Sequence, residues 1–193
     1  MSKIKEEMRQ IRDEILSCKK CPLYKTRIYP VIGQGSHEAD IMFVGEAPGF
    51  NENKTGRPFC GNAGKVFDEL LNSADLKRED IYIGNILKCR PPDNRNPLQS
   101  EIEACTPYLI RQISIINPKV ICCLGNFASR FVMELFGLTD QIEGISKMHG
   151  QIFEGSDGER TVKIIPLYHP AVASYNQNMI GSLKEDFGVL KDF

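Results

Sequence analysis

Short, uninterrupted apolar runs recur along this chain, with helix-like patterns between them. Runs of this kind are typical of strands that are covered on both faces of a parallel sheet. Three such runs lie at 41–44, 81–83 and 120–124, and a fourth strand-like segment at 162–167 is apolar except for Lys163. Between them, apolar residues recur at intervals of three and four, which predicts amphipathic helices. The alternation predicts an α/β fold in which helices cover both sides of a parallel sheet.

The remaining segments carry weaker signals. An amino-terminal helix is predicted by four apolar residues at helical spacing, namely Ile4, Met8, Ile11 and Ile15. Because proline is unfavourable inside a helix, we expect a break near Cys105, with Thr106 as the N-cap and Pro107 as the first residue of a new helix. The sequence of residues 28–39 predicts a loop. The turn signal at 155–158 predicts a hairpin.

Size and charge limit the classes of protein. The 193 residues fit one domain, which we take as residues 1–193. A net charge of −1 excludes a polycation that coats nucleic acid, although segments 51–65 and 84–96 are each net +2. No apolar run reaches the roughly 18–20 residues of a membrane span, and no signal-peptide core is present. We therefore expect a cytoplasmic protein with no membrane partner.

Seven cysteines in a cytoplasmic chain point to metal ligands or buried thiols. Cys18 and Cys21 form a C-x-x-C pair, and Cys89 and Cys105 lie far downstream. This spacing fits an iron–sulfur cluster or a zinc site, or else unliganded thiols. A redox dithiol is a further alternative. Residues 122–123 lie within an apolar run and are expected in the core.

Four polar or glycine-rich motifs follow or begin at predicted strands. They lie at 45–49, 56–59, 85–92 and 169–171. Ligands of open parallel sheets bind beyond the carboxyl ends of the strands. We therefore expect the motifs to build one pocket from an amide, an aromatic ring, an imidazole and tight turns. Such a pocket suits a flat polar ring, and it contains no obvious nucleophile.

These motifs, which read GEAPG, KTGRPFCGNAG, NILKCRPPDNRNP and HPA, resemble those of the family 4 uracil-DNA glycosylases. The resemblance runs from about Cys18 to Tyr175. It implies a three-layer α/β/α fold with a central four-stranded parallel sheet. It also implies a [4Fe-4S] cluster on Cys18, Cys21, Cys89 and Cys105, and an enzyme that hydrolyses the N-glycosidic bond of uracil in DNA to leave an abasic site.

The resemblance assigns roles in uracil binding. Asn85 would read the uracil edge, Phe59 would stack on the flipped base, and His169 would donate a hydrogen bond to uracil O2. The loop of Glu46, Ala47 and Pro48 would direct backbone amides at the other uracil oxygen. Binding of uracil-containing DNA would therefore involve selection by Asn85 and affinity from Phe59.

Two departures from related families leave catalytic questions open. Ala47 stands where family 1 enzymes have an aspartate, so Glu46, Glu52 and Asn94 are the candidates for holding or polarising water. Glu52 could alternatively exclude the methyl group of thymine. The segment after the histidine motif has no leucine to wedge into the duplex, which leaves Val172 and Tyr175 as candidates.

Basic residues beside the pocket are expected to contact DNA phosphates, namely Lys54, Arg57, Lys88, Arg90 and Arg95. We expect a monomer, and uracil opposite guanine should be favoured because a mispaired base is easier to extrude. A silent base-binding module and an iron–sulfur redox protein are the rival functions. Contacts with a clamp or a polymerase are not readable from the sequence.

Overall fold

The structure, a computed structural model, describes residues 3–193; Met1 and Ser2, which the domain prediction included, lie outside the described residues. A six-stranded mixed sheet forms its centre, in the order β1-β3-β2-β4-β6-β5. The inner four strands are parallel, and β1 and β5 are antiparallel edges. The strands are β1 (Gln34–Gly35), β2 (Ile41–Gly45), β3 (Tyr82–Asn85), β4 (Val120–Leu124), β5 (Phe153–Ser156) and β6 (Thr161–Leu167).

Helices cover both faces of this sheet. They are α1 (Lys3–Ser17), α2 (Phe50–Thr55), α3 (Asn62–Ser73), α4 (Gln99–Ile116), α5 (Asn126–Leu135), α6 (Ile145–Met148), α7 (Val172–Tyr175) and α8 (Ile180–Gly188). Among residues 3–193, no helix combines the length and apolar character that a bilayer span requires. The three-layer α/β/α prediction with four central parallel strands is confirmed, and the two antiparallel edges extend it.

Alternate residues of each strand divide the core into two layers. Met42 and Val44 pack with α1, α4 and α5, whereas Ile41 and Phe43 pack with α3 and α8. A strand that is covered on both faces therefore needs apolar residues at every position, as β2 and β4 have.

The predicted break in α4 is wrong. The helix continues through Pro107, which lies on its exposed face. Water can therefore reach the carbonyl that loses its hydrogen bond to the proline nitrogen. Burial of Cys105, Tyr108 and Leu109 on the inner face stabilises the continuous helix.

The carboxyl ends of the parallel strands bring the sequence motifs to one edge. Gly45, the last residue of β2, pairs with Asn85, the last residue of β3. Strand β6, which is separated from β2 by β4, ends at Leu167, two residues before His169. This edge carries the candidate site.

Candidate active site

Asn85 and Phe59 meet over Gly45. A Cβ atom on Gly45 would lie 2.4 Å from Asn85 Oδ1 and 3.3 Å from Cζ of Phe59. Glycine at this strand end therefore makes room for both side chains. Asn85 is 3% exposed, and its carboxamide makes no hydrogen bond with any of residues 3–193. The amide is free to bind a ligand.

Phe59 is fixed by a tight turn and an arginine. Its backbone is left-handed, with φ of 50°, and Gly64 lacks the Cβ that would lie 1.9 Å from the Phe59 carbonyl oxygen. Arg78 donates to the carbonyls of Pro58 at 3.1 Å and Phe59 at 2.6 Å. The Phe59 ring lies 4.9 Å from that of Phe67, centroid to centroid. These contacts hold the ring in a defined position at the pocket.

His169 completes the group. Its ring lies 5.6 Å from that of Phe59, with an interplanar angle of 28°. Nδ1 accepts the N–H of Ala171 at 3.1 Å, so the proton of the neutral ring lies on Nε2. Burial lowers the pKa of His169 to about 4, although the charge of Glu52 acts in the opposite direction. The site therefore presents a neutral N–H donor.

Glu52 connects two loops of the site. Its Oε1 accepts the N–H groups of Cys60 at 2.9 Å and Gly61 at 3.1 Å, at the start of α3. A Cβ on Gly49 would lie 2.7 Å from Glu52 Oε2. The carboxylate thus holds the Phe59 turn against the loop that follows β2.

The loop of Glu46, Ala47 and Pro48 lies at the end of β2. Glu46 is half-buried, and burial raises the pKa of its carboxyl group. Pro48 has no N–H, so backbone donors in this loop come from Glu46 or Ala47. Asn94 is exposed and accepts from Arg90 at 2.7 Å; no hydrogen bond within residues 3–193 joins it to Asn85 or His169.

Basic side chains from two segments meet on Phe50, which is half exposed. Lys54 Nζ lies 4.1 Å and Arg90 Cζ 5.4 Å from the centre of its ring. Arg57 is exposed. Both Nη atoms of Arg95 donate hydrogen bonds to the carboxylate of Glu101, and this pairing lowers the pKa of Glu101. The segments that are net positive in sequence are therefore neighbours in space.

Lys88 does not belong to this surface. It is 1% exposed, and its Nζ donates to the carbonyl of Asn85 at 2.9 Å and to Gln112 Oε1 at 2.7 Å. Burial lowers the pKa of Lys88 to about 8, and Cys105 partly opposes this shift. The prediction that Lys88 contacts DNA is wrong, because a fully buried ammonium cannot reach a phosphate.

Four cysteines line one cavity together with Lys88, namely Cys18, Cys21, Cys89 and Cys105. Arg27 donates to Cys89 Sγ at 3.3 Å, and the Lys88 N–H donates to Cys105 Sγ at 3.2 Å. Burial raises the pKa of Cys105 to about 11, with Lys88 acting against it. Within residues 3–193, no three His, Cys, Asp or Glu residues form a group that could hold one metal ion. The donor set of four sulfurs with N–H and cationic neighbours suits an anionic metal–thiolate group.

Comparisons with known proteins identify the family of this chain. A family model described as the uracil DNA glycosylase superfamily matches residues 32–188. The chain is 46% identical to a type-4 uracil-DNA glycosylase of Archaeoglobus fulgidus over 182 residues, which cover 94% of this chain and 90% of that protein. The chain belongs to the type-4 uracil-DNA glycosylase family.

Other members of the type-4 family match as extensively. The relative from Sulfurisphaera tokodaii is 43% identical over 188 residues, covering 97% of this chain and 84% of that protein. The relative from Thermotoga maritima is 41% identical over 175 residues, covering 90% and 87%.

Several supporting residues of this type-4 member were not predicted from its sequence. Arg78 holds the Phe59 carbonyl, and Gln112 binds the Lys88 ammonium. Both lie outside the motifs. An arginine or glutamine outside a motif carries no local signal of such a contact.

Proposed function

We propose that this protein removes uracil from DNA by hydrolysing the bond between uracil N1 and the deoxyribose C1′. The products are free uracil and an abasic site, as required for excision of deaminated cytosine in base excision repair. The observation that carries the proposal is the convergence of Asn85, Phe59 and His169 at one edge of the sheet, where the Asn85 amide has no hydrogen bond to any of residues 3–193.

Asn85 supplies base selection in this proposal. Its carboxamide accepts from uracil N3–H and donates to O4, whereas cytosine presents an acceptor and an amino donor at those positions. Each mismatched buried group costs about 1–3 kcal/mol. Phe59 stacks on the extruded ring, which contributes roughly 1–3 kcal/mol regardless of base identity.

His169 stabilises the departing uracil. Cleavage leaves negative charge on the ring, and the Nε2–H donates to O2 as that charge develops. A neutral imidazole is sufficient, because no proton need be transferred. Loss of one preorganised donor of this kind typically costs about 10²–10³ in rate. We propose that this term dominates catalysis.

Water positioning is distributed in our proposal. Glu46 is the favoured candidate, since its half-buried carboxylate makes no hydrogen bond or ion pair with any of residues 3–193. Glu52 is engaged by the Phe59 turn, and Asn94 is engaged by Arg90. These contacts favour supporting roles for Glu52 and Asn94.

We propose that Cys18, Cys21, Cys89 and Cys105 hold a [4Fe-4S] cluster. The shared cavity, the N–H groups donated to two of the sulfurs and the buried Lys88 ammonium support this assignment. When bound, the cluster would serve structurally, because it would fix the segment after Asn85 to the segment after α1.

We further propose that Lys54, Arg57, Arg90 and Arg95 face the DNA backbone, with Tyr175 as the side chain that enters the vacated stack. Tyr175 is 90% exposed on α7, four residues beyond the end of the histidine motif, whereas Val172 packs against the core. In this proposal the enzyme is a monomer with a single domain, and it acts in the cytoplasm without a membrane partner.

The proposal predicts release of uracil from a duplex oligonucleotide with one U:G pair, followed by strand breakage in alkali. Asn85→Ala and His169→Ala should each lower the single-turnover rate by about 10²-fold or more. The matched control is Lys119→Met, which should cleave normally. Lys119 is exposed and directly precedes β4, at the end of the strand away from the site. Wild-type protein that releases no uracil would contradict the proposed function.

A further inference from the structure

Lys88 is a buried cation. Within residues 3–193, its ammonium donates hydrogen bonds only to neutral acceptors. The other buried polar or charged side chains of residues 3–193 are neutral or acidic. The ammonium donates to the Asn85 carbonyl and to Gln112 Oε1, and neither acceptor carries charge. A buried charge is costly unless an opposite charge lies nearby. The feature therefore calls for an anionic neighbour.

The same residue faces the four-cysteine cavity. Lys88 lines it together with the four cysteines, and its backbone N–H donates to Cys105 Sγ at 3.2 Å. The next residue along the chain is Cys89. One residue therefore contacts the cysteine site through its main chain and the base-reading strand end through its side chain.

The surroundings of Lys88 are rigid. Gln112 donates to the carbonyl of Ile32 at 2.9 Å and to the hydroxyl of Tyr82 at 3.0 Å. The Lys88 carbonyl accepts from the Val31 N–H at 2.7 Å. Because each partner is fixed by further hydrogen bonds, a shift of the cysteine segment would move the Asn85 carbonyl as well.

We propose that Lys88 is a positioning residue that acts through Asn85 and that its ammonium is the counter-charge of an anionic iron–sulfur group in the cavity. This inference deepens the proposed function and rests on it. It assigns to the cysteine site a direct structural link to uracil selection.

The test replaces Lys88 by methionine, which keeps the length of the side chain but removes its charge and donors. Single-turnover excision from a U:G duplex is measured in the wild-type and Asn85→Ala backgrounds. We expect Lys88→Met to lower the rate by about 10- to 100-fold in the wild-type background. In the Asn85→Ala background the additional loss should be less than about threefold, because the two residues act as one unit.

A second readout does not depend on excision. Iron content and the midpoint potential of the holoprotein are measured for Lys88→Met and for the control Lys119→Met. Removing a buried positive charge disfavours the more negative, reduced form of the cluster. The midpoint potential of Lys88→Met should therefore shift to a more negative value while iron is retained, and that of the control should not change.

The outcomes separate the two proposals. Fully additive losses in the two backgrounds, or unaltered excision, would overturn the role through Asn85; an unaltered potential, or zinc in place of iron, would overturn the counter-charge role. Should Lys88→Met fail to fold, Lys88→Gln replaces it. If neither variant folds while the control does, Lys88 is required only for folding, and the inference is refuted. Wild-type protein without excision activity would instead refute the proposed function.

Discussion

The His169 imidazole is held in one tautomer by one backbone hydrogen bond, from the Ala171 N–H to Nδ1. Pro170 lies between the two residues and stiffens that turn. Burial keeps the ring neutral, so the donor at Nε2 is available without any proton uptake. The chemistry of this one side chain therefore has a measurable pH dependence.

We expect the stability contribution of His169 to decline in acid. The pKa is about 4 in the folded state and about 6.5 when unfolded, so the unfolded chain binds the proton first as the pH falls. The contribution is complete above pH 6.5 and is lost progressively toward pH 4. Urea unfolding of wild type and His169→Gln measures this loss. Between pH 6.5 and pH 4, the unfolding free energy of the wild type should fall relative to that of His169→Gln. A constant difference would contradict the buried, neutral ring.

The sequence could point to single residues whose proposed roles depend on their own side chains. Asn85 ends a strand, His169 follows one and Phe59 follows α2. Each stands in a short motif, and the resemblance gives each a role. Lys88 stands in the same motif, yet its sequence position suggested a phosphate contact. Its burial depends on α4, which supplies Gln112 from 24 residues away, and no local pattern reports that contact.

Short elements position the site by capping one another. Glu52 on α2 accepts from the backbone at the start of α3, where a carboxylate is favoured by the free N–H groups. The Phe59 turn lies between these two helices. Its left-handed backbone is therefore held from one side by Glu52 and from the other by Arg78.

Two substitutions of Glu52 distinguish this role from water activation. Glu52→Gln keeps an oxygen acceptor and should lower the single-turnover rate by less than about tenfold. Glu52→Ala removes hydrogen bonds worth about 1.5–3 kcal/mol and should lower the rate by about 10- to 100-fold. Glu69→Ala, on the exposed side of α3, is the control. Equal losses in the Gln and Ala variants would favour a carboxylate that activates water.

Strands that are buried on both faces of the sheet were predictable, because their burial requires a continuous apolar pattern. The runs of β2 and β4 are apolar at every position and could be read directly. The two-residue strand β1 has no such pattern, because its pairing with β3 comes from the main chain alone. The course of α4 through Pro107 depends on which helix face meets water, and that is decided by packing.

The complete fold brings segments that are distant in sequence to one edge of the sheet. Cys18 and Cys105 are 87 residues apart, yet both line the cavity that Lys88 also lines. Phe59 and His169 are 110 residues apart, yet their rings are in contact. The sequence predicted this convergence only through the rule that strand ends share an edge. The distances, and the link through Lys88, required the structure.

The most direct test is a crystal structure of the protein with free uracil, the expected product. We predict that the uracil ring stacks on Phe59, that the Asn85 carboxamide faces N3 and O4, and that His169 Nε2 lies within hydrogen-bond distance of O2. Uracil bound elsewhere, or bound at this edge without contact to Asn85 and His169, would contradict the account.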